Sequence, residues 1–496
     1  MNAAAPHLHA WYLPVCVAGT VLLLLLLVAR LRLHPALALM IAALGLGIAS
    51  GMPLAQVPVS FTAGVGGLMG RIAIILGLGA VLGSLLARSG GAAALGNFLV
   101  SMFGAGGVPW AMLVLGIVVG MPVFFEVGLI LMMPIVVAAA QRSGRPPILV
   151  AAPLLAGLSI MHSTVPPHPA AMLAAAAYHA DLGSTIFWGL VAGIPAAVIA
   201  GPALGWVLTR HWERTAGRGL AGDGRSGAVI SVPPQSGMGG LPGADSGQAE
   251  GEMRDAVAVR DAVALREQIP RPAGPARAAF SILFPVALIF LGSWADAICA
   301  KGSALNRILH FAGYPDVALL IAVLAALFTL GPRIQTGRHH GRELLRKVTA
   351  ESFAPVANSI VILSAAGGLS GVLRDSGAAQ VTVGLALGAH MPPLVLAWLL
   401  AAVVRISMGS ATVAMAVASG VLAPMAVSTG IRPELLVLAT GSGSLILSHV
   451  NDSGFWLVQS LFGLSPKQTL ATWSIIETVL SVSGLLVTLL LSVFLR

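Results

Sequence analysis

The chain has 496 residues, of which 57% are hydrophobic and 9% are charged. Soluble globular proteins contain about 25% charged residues, so this chain cannot cover its surface with polar side chains. The formal net charge of +9 does not indicate nucleic-acid binding, because much of the basic excess lies in short loops beside apolar segments, as expected for cytoplasmic loops of a membrane protein.

About twelve apolar stretches follow one another along the chain, each near the roughly 20 residues that a helix needs to span a bilayer. They are runs of Leu, Ala, Val and Gly without two-residue alternation, which excludes the strands of a membrane β-barrel. The first stretch covers Tyr12 to Ala29 and is followed by Arg30 and Arg32. This order places the N-terminus outside and the first loop inside. The predicted fold class is an all-α polytopic membrane protein.

Two helix breaks are predicted in the first half of the chain. The segment Gly120–Gly128 lies in an apolar stretch that is too long for one span, and Pro122 cannot continue a helix there. Glu126, an ionisable residue deep in apolar sequence, indicates a functional site. The segment Met161–Pro169 carries three prolines in four positions. The first segment is predicted to be the tip of a re-entrant hairpin and the second a break in a spanning helix.

A polar segment at 210–278 divides the chain into two apolar halves, 1–209 and 279–496. The segment is rich in Gly, Pro and Ser, and its acidic and basic residues nearly balance. This composition predicts a flexible linker with at most a short surface helix.

A second hairpin tip is predicted at Arg405–Ala414, again inside a long apolar stretch. Gly409, Ser410 and Thr412 would allow a helix to begin there with exposed N–H groups and hydroxyls. Such a helix start favours an anion.

The fourth predicted break is Ser448–Gly454, which places the titratable residues His449 and Asp452 beside a Ser-Gly turn. The two halves are related at this point, because Arg145–His162 aligns without a gap on Arg432–His449 at an offset of 287 residues. The same offset pairs the two hairpin tips. Internal repeats of this kind are typical of secondary transporters.

The loop charges predict that the two repeats are inverted. Basic residues follow the first span in the first half, but they follow the second span in the second half. Two inverted halves would place their basic loops in this way, because cytoplasmic loops carry the positive charge. The basic residues in the second half are Arg333, Arg338, Arg342, Arg346 and Lys347.

Each motif also has a purely structural explanation. Pro-Pro-His-Pro is alternatively an interfacial loop with a solvated His168, Glu126 alternatively forms a structural ion pair with Arg405, and Gly-Ser-Ala-Thr alternatively serves close helix packing. The pairing of all four motifs under one repeat favours a functional site for the set, without deciding any single residue.

The four motifs together resemble the gluconate permease family of proton symporters. They are Met-Pro-Val-Phe-Phe-Glu-Val-Gly, Pro-Pro-His-Pro, Gly-Ser-Ala-Thr-Val-Ala and His-Val-Asn-Asp-Ser-Gly-Phe-Trp-Leu-Val, in this order. Members of that family carry gluconate, other sugar acids and, in some cases, D-serine. The resemblance covers both apolar halves, most clearly from Arg71 onward. The chain departs from the family pattern in its long linker and in Ser453, which stands where proline is expected.

The resemblance implies the fold of the ion-transporter superfamily, with inverted repeats, two re-entrant hairpins, a homodimer and an elevator-like movement. We expect a multi-pass protein of the inner (cytoplasmic) membrane. Its expected partners are a small organic anion, protons and the lipid bilayer, with no nucleic acid.

The predicted site has two sets of residues. The predicted substrate-binding residues are Phe124, Thr164, His168, Arg405, Gly409, Ser410, Thr412, His449 and Asn451. The substrate carboxylate is expected at the helix start that follows Arg405, with its hydroxyls at Thr164, His449 and Asn451. A co-transported proton would remove the cost of importing an anion, about 2.3 kcal/mol per charge at 100 mV. The predicted proton-coupling residues are Glu126, Asp452 and His162.

Two other classes of protein were compared with a carrier. A membrane-embedded metalloenzyme would need ligand spacing such as His-Glu-x-x-His, which the sequence lacks, so no metal and no cofactor are expected. A channel would need a filter-like motif, and none stands out. Within carriers, the sequence leaves open another sugar acid, a short hydroxy acid or D-serine as the substrate.

Overall fold

The computed structural model describes residues 12–31, 33–104, 106–143, 146–208, 273–334, 341–378, 380–381, 384 and 391–495. Every regular element within these ranges is a helix, which confirms the predicted fold class. The predicted linker lies outside the described residues as far as residue 272. Arg32, Arg145 and Arg338, used above for the loop charges and the repeat, also lie outside them.

The described part of the first half contains nine α-helices, and α1 and α9 continue as short π-helical turns at Leu26–Arg30 and Ile199–Ala203. The helices are α1 (Tyr12–Leu25), α2 (Pro35–Ala49), α3 (Gln56–Arg88), α4 (Gly91–Phe103), α5 (Val108–Gly120), α6 (Phe125–Ser143), α7 (Pro147–Thr164), α8 (Pro169–Tyr178) and α9 (Leu182–Val198).

The described part of the second half contains longer helices joined by several single turns, with a π-helical turn at Leu470–Ser474. The helices are α10 (Pro275–Ser293), α11 (Ala295–Ile298), α12 (Ala304–Gly313), α13 (Pro315–Thr329), α14 (Gly331–Ile334), α15 (Gly341–Glu351), α16 (Ala354–Asp375), α17 (Pro393–Met408), α18 (Ala411–Leu422), α19 (Met425–Ser428), α20 (Pro433–Gly443), α21 (Ser453–Phe462), α22 (Pro466–Thr469) and α23 (Ile475–Phe494).

Helix length and composition agree with a multi-pass membrane protein. Among the described residues, four helical stretches are long and apolar enough to cross a membrane, and six are if two bent helix pairs each count as one span. Seven further apolar helices have 10–17 residues. The short helices come largely from the breaks, because a break divides one apolar stretch into two helices.

The internal repeat predicted from sequence recurs in the order of the helices. In the first half α5, a break and α6 are followed by α7, a break and α8, and in the second half α17, α18, α20 and α21 follow the same pattern. Both α7 and α20 begin with proline at the first helical position, Pro147 and Pro433. Proline is favoured there because its missing N–H would have no partner in the helix.

The two halves pack into each other through the long helices α3 and α16. These helices cross where Gly64 lies against Gly367 and Gly371, so closely that a Cβ on Gly64 or on Gly371 would overlap the backbone of the facing helix. Small residues permit this approach, and close backbone packing supplies much of the attraction between helices in lipid.

The short helices that follow the breaks pack across the repeat. Helix α8 of the first half packs against α18 and α20 of the second half, and α21 of the second half contacts α6 of the first half. This exchange brings breaks from both halves into one region of the protein.

Candidate functional site

All four predicted breaks are present and are confirmed. They are residues 121–124 between α5 and α6, 165–168 between α7 and α8, 409–410 between α17 and α18, and 444–452 between α20 and α21. Each break is followed by the start of a helix, whose first N–H groups have no partner within the helix and carry the positive end of the helix dipole.

A buried ion pair joins the two breaks of the second half. Arg405 is 4% exposed and Asp452 is 7% exposed, and Nη2 of Arg405 lies 2.5 Å from Oδ2 of Asp452. Nη1 of Arg405 donates to the carbonyl oxygen of Gly409, and the Ser448 hydroxyl donates to Oδ2 of Asp452. The amide of Gly454 donates to Oδ1 of Asp452 at 3.0 Å. Burial is tolerated because each charge has an opposite charge and further hydrogen bonds.

The tip of the second hairpin is fastened to the break before α21. Gly409 has a φ of +73°, and a Cβ at this position would overlap the carbonyl oxygen of Asn451. Nδ2 of Asn451 donates to the carbonyl oxygen of Ile406 at 2.8 Å, and Nε2 of His449 lies 2.8 Å from the same oxygen. His449 and Asn451 therefore each use one polar atom to hold the end of α17.

Two histidines from the first half lie beside this ion pair. The rings of His162 and His168 have centroids 3.9 Å apart, and His168 also meets Phe124 edge-on at 5.5 Å. Nδ1 of His162 and both ring nitrogens of His168 are buried without a hydrogen-bond partner in the part of the chain that the structure describes. His162 is close enough to Arg405 and Asp452 to interact with their charges.

The remaining predicted substrate-binding residues lie at the adjoining helix ends. Thr164 is buried, and its hydroxyl donates to the carbonyl oxygen of Ile160 at 2.7 Å. The Thr164 hydroxyl can therefore accept a further hydrogen bond but cannot donate one. Ser410 caps α18 by accepting from the amide of Val413 at 3.4 Å, and Thr412 is half-buried in the first turn of that helix.

Glu126 is half-buried in the first turn of α6, at the first hairpin. The structural alternative for Glu126, an ion pair with Arg405, is not formed between these two described side chains, since Arg405 pairs with Asp452.

Four residues of the site were not among the predicted site residues, namely Phe125, Ser448, Trp473 and Glu477. Nε1 of Trp473 donates to the Ser448 hydroxyl at 2.7 Å, and the Trp473 ring packs on Phe125 at 5.1 Å. Glu477 in α23 is 1% exposed and close enough to Arg405 to interact with its charge. The signal for Glu477 was available, because it is an acidic residue inside an apolar stretch, as Glu126 is. Ser448 and Trp473 carried no comparable signal.

These contacts, together with the electrostatic interactions of His162 and Glu477 with Arg405 and Asp452, define a group of residues that we call the charged cluster. It consists of Phe124, Phe125, His162, His168, Arg405, Ser448, Asp452, Trp473 and Glu477.

A cavity of about 520 Å³ lies further along the helices that start at the breaks. It is bounded by α3, α8, α16 and α18, and its polar lining includes Ser370, Arg374 and Ser419. No member of the charged cluster lines it. Helices α8 and α18 begin at the breaks and run on to this cavity, so the two regions share the same helices.

A helical membrane protein in which repeated helix breaks meet at buried charges has the architecture of a secondary transporter. The family model of the GntP family permeases matches residues 12–225 and 259–494. The chain belongs to this family, and it is therefore a transporter rather than an enzyme.

Three relatives illustrate the similarity. A gluconate permease of Pseudomonas aeruginosa is 39% identical and the match covers 79% of this chain and 78% of the relative. The Gnt-II system L-idonate transporter of Escherichia coli is 34% identical, with 77% of each chain covered. The D-serine transporter DsdX of Escherichia coli is 32% identical, with 77% of this chain and 76% of the relative covered.

The fold is also similar to that of a solved transporter. The crystal structure of the YdaH transporter of Alcanivorax borkumensis matches with a TM-score of 0.59 at 16% sequence identity, covering 97% of this chain and 98% of that chain. At this identity the similarity concerns the fold alone.

Proposed function

We propose that this permease imports gluconate, or a closely related sugar acid, together with a proton. The observation that carries the proposal is the buried Arg405 guanidinium, which lies beside helix starts and two histidines with unpartnered ring nitrogens. An anion with several hydroxyl groups matches this combination of a cation, free N–H groups and unpaired polar atoms.

The substrate carboxylate would bind between Arg405 and the start of α18. Both Nη atoms of Arg405 already have partners, but its Nε is buried without one among the described residues. Nε would donate to the carboxylate, and the first amides of α18 after Ser410 and the hydroxyl of Thr412 would complete the contact.

The substrate hydroxyls would bind along the two broken helices. Thr164 offers acceptor lone pairs, His168 offers both ring nitrogens, and His449 and Asn451 each retain a polar atom not used on Ile406. Phe124 would lie against the carbon chain, because its ring already packs edge-on against His168.

Charge balance supports coupling to a proton. Arg405 and Asp452 neutralise each other, so a bound carboxylate would add an uncompensated negative charge to a buried cluster, which is costly. A proton taken up with the substrate offsets that charge and the work against the membrane potential. The candidates named from the sequence are Glu126, Asp452 and His162, which lie on three different helices or breaks.

The arrangement of the helices supports an elevator-like movement. The hairpins α5–α6 and α17–α18 pack on the broken helices next to them, and the crossed helices α3 and α16 border the cavity on its other side. We propose that the hairpins and broken helices move as a unit against α3 and α16, in a homodimer in the cytoplasmic membrane. The mass of the purified protein in detergent tests the homodimer.

Uptake of labelled gluconate into proteoliposomes tests the proposed transport reaction. With an inward pH gradient, gluconate should accumulate, and the accumulation should disappear when a protonophore collapses the gradient. Uptake of equal extent with and without the gradient would refute proton coupling. No uptake of gluconate or of any sugar acid would refute the substrate class.

A second candidate substrate is D-serine or a short hydroxy acid. The observation favouring D-serine is that a relative of 32% identity is named as a D-serine transporter. Competition by unlabelled L-idonate and D-serine in the gluconate assay separates the candidates. Stronger competition by D-serine than by gluconate would replace the proposed substrate and keep the carrier.

A further inference from the structure

We infer that Glu477 on α23 is the residue that carries the co-transported proton. This inference rests on the proposed proton symport and assigns one part of it to a residue that neither the motifs nor the repeat indicates.

The position of Glu477 supports the assignment. Its side chain is 1% exposed and belongs to the charged cluster, within reach of the charges of Arg405 and Asp452. Oε1 of its carboxyl is buried without a hydrogen-bond partner among the described residues. A buried carboxyl oxygen without a donor is rare in a folded protein and suggests a site for a proton or another ligand.

Among the described side chains, Glu477 has no counter-ion of its own. Helix α23 packs against α7, α9, α17, α20 and the π-helical turns on either side of the bundle. The ionisable groups on these elements and the adjoining break 444–452 are His162, Arg405, Glu434, His449 and Asp452. Arg405 is the one permanent cation among them, and its carboxylate partner is Asp452 at 2.5 Å.

Asp452, the other buried carboxyl of the charged cluster, is less suited than Glu477 to take up a proton. Both oxygens of Asp452 accept hydrogen bonds, from Arg405, Ser448 and the amide of Gly454. A proton arriving at Asp452 would have to displace these donors and break the ion pair. A proton arriving at Glu477 displaces nothing at Oε1 and neutralises the acidic group that lacks a counter-ion.

The transport step follows from this arrangement. Glu477 takes a proton from the outer solution, and the neutral cluster then admits the substrate carboxylate at Arg405. After the movement to the inner side, the substrate leaves and the O–H bond of Glu477 breaks, releasing the proton inside. One proton and one anion cross together and no covalent bond of the substrate changes.

The variant Glu477→Gln in proteoliposomes tests the assignment. Glutamine imitates the protonated carboxyl and cannot release the proton. At an inward gradient of one pH unit, the wild-type protein should accumulate gluconate about tenfold, and the variant should reach a ratio of about one. Exchange of labelled for unlabelled gluconate, with equal concentrations on both sides, should continue in the variant because exchange requires no net proton transfer.

The matched control is Glu434→Gln. Glu434 is also a buried carboxyl that faces the bundle, but it lies in the first turn of α20 and pairs with Arg432 at 3.4 Å, away from the charged cluster. This variant should accumulate gluconate as the wild-type protein does.

Three outcomes would overturn the assignment. The first is tenfold accumulation of gluconate by Glu477→Gln. The second is folded Glu477→Gln protein that has lost both exchange and accumulation. If that variant does not fold, Glu477→Asp replaces it, since moving the carboxyl by one methylene should shift the pH dependence of uptake. An unchanged pH profile in Glu477→Asp is the third.

Failure of the wild-type protein to transport gluconate would instead refute the proposed function. Accumulation driven by sodium rather than by protons would refute the proposed proton coupling and assign a different ion to the site.

Discussion

The costs of removing Arg405 and of removing Asp452 should not add, because the two buried charges stabilise each other. Breaking a buried pair from one side typically costs about 3–5 kcal/mol, because the other charge stays buried without its partner. The structure predicts an asymmetry within that range. After Arg405→Gln, Asp452 keeps two donors, Ser448 and the amide of Gly454. After Asp452→Asn, the five N–H groups of the guanidinium keep two neutral acceptors, the carbonyl of Gly409 and the amide oxygen that the substitution leaves at position 452, and no carboxylate.

We therefore expect Asp452→Asn to cost about 5 kcal/mol and Arg405→Gln about 3 kcal/mol. The double variant leaves no buried charge at this pair, so its cost should fall at least about 2 kcal/mol below the sum of the two single costs. Reversible unfolding of the purified protein in mixed micelles measures all three free energies.

The exposed ion pair between Arg88 and Glu351 is the control. Its nitrogen and oxygen lie 2.8 Å apart, but the side chains are 29% and 42% exposed. Pairs of this kind contribute about 0–1 kcal/mol, so Glu351→Gln should change the free energy of unfolding by no more than that. Additive costs of Arg405→Gln and Asp452→Asn would refute the argument that burial makes the two charges depend on each other.

Two further predictions concern glycines, each with a control glycine in a comparable setting. Gly371→Ala should lower the melting temperature, because its Cβ would overlap the backbone of α3. The control Gly66→Ala on α3 meets no atom within 4 Å and should leave the melting temperature unchanged or raise it. Equal melting temperatures of the two variants would contradict the close crossing of α3 and α16. Gly409→Ala should abolish gluconate uptake, because its Cβ would separate the hairpin tip from Asn451. The control Gly430→Ala has a similar φ of +66° and no atom within 4 Å of its Cβ. It should lower the free energy of unfolding by only about 1–2 kcal/mol and keep uptake. Equal uptake by the two φ-matched variants would show that the Gly409 contact is not needed for transport.

The helix breaks could be predicted from the sequence because their causes are local. Proline removes a backbone donor, and helices break at Pro122 and at Pro166. A single proline does not always end a helix, because Pro134 and Pro153 lie inside helices. The left-handed conformation at Gly409 is likewise a property of glycine itself. Local rules of this kind, applied to both halves and matched by the 287-residue offset between them, were sufficient to find both hairpins and both broken helices.

The contacts between the breaks could not be predicted in the same way, because they depend on how distant segments pack. A buried Arg405 requires an acidic partner, and the sequence alone offers both Glu126 and Asp452 for that role. The packing of α17 against the break before α21 makes Asp452 the partner. Trp473 enters the site because α23 packs beside the broken helices, which no motif indicates. Glu477 could have been found, since the rule that selected Glu126 applies equally to an acidic residue in the last apolar stretch.

The position of the bound substrate tests the central claim most directly, because the structure offers two places for it. A cryo-electron microscopy map of the protein in saturating gluconate should show density for a carboxylate against Arg405 and the start of α18, with the carbon chain extending toward Thr164 and His168. Gluconate density confined to the 520 Å³ cavity between α3, α8, α16 and α18, with none at Arg405, would contradict the assignment of the charged cluster as the substrate site.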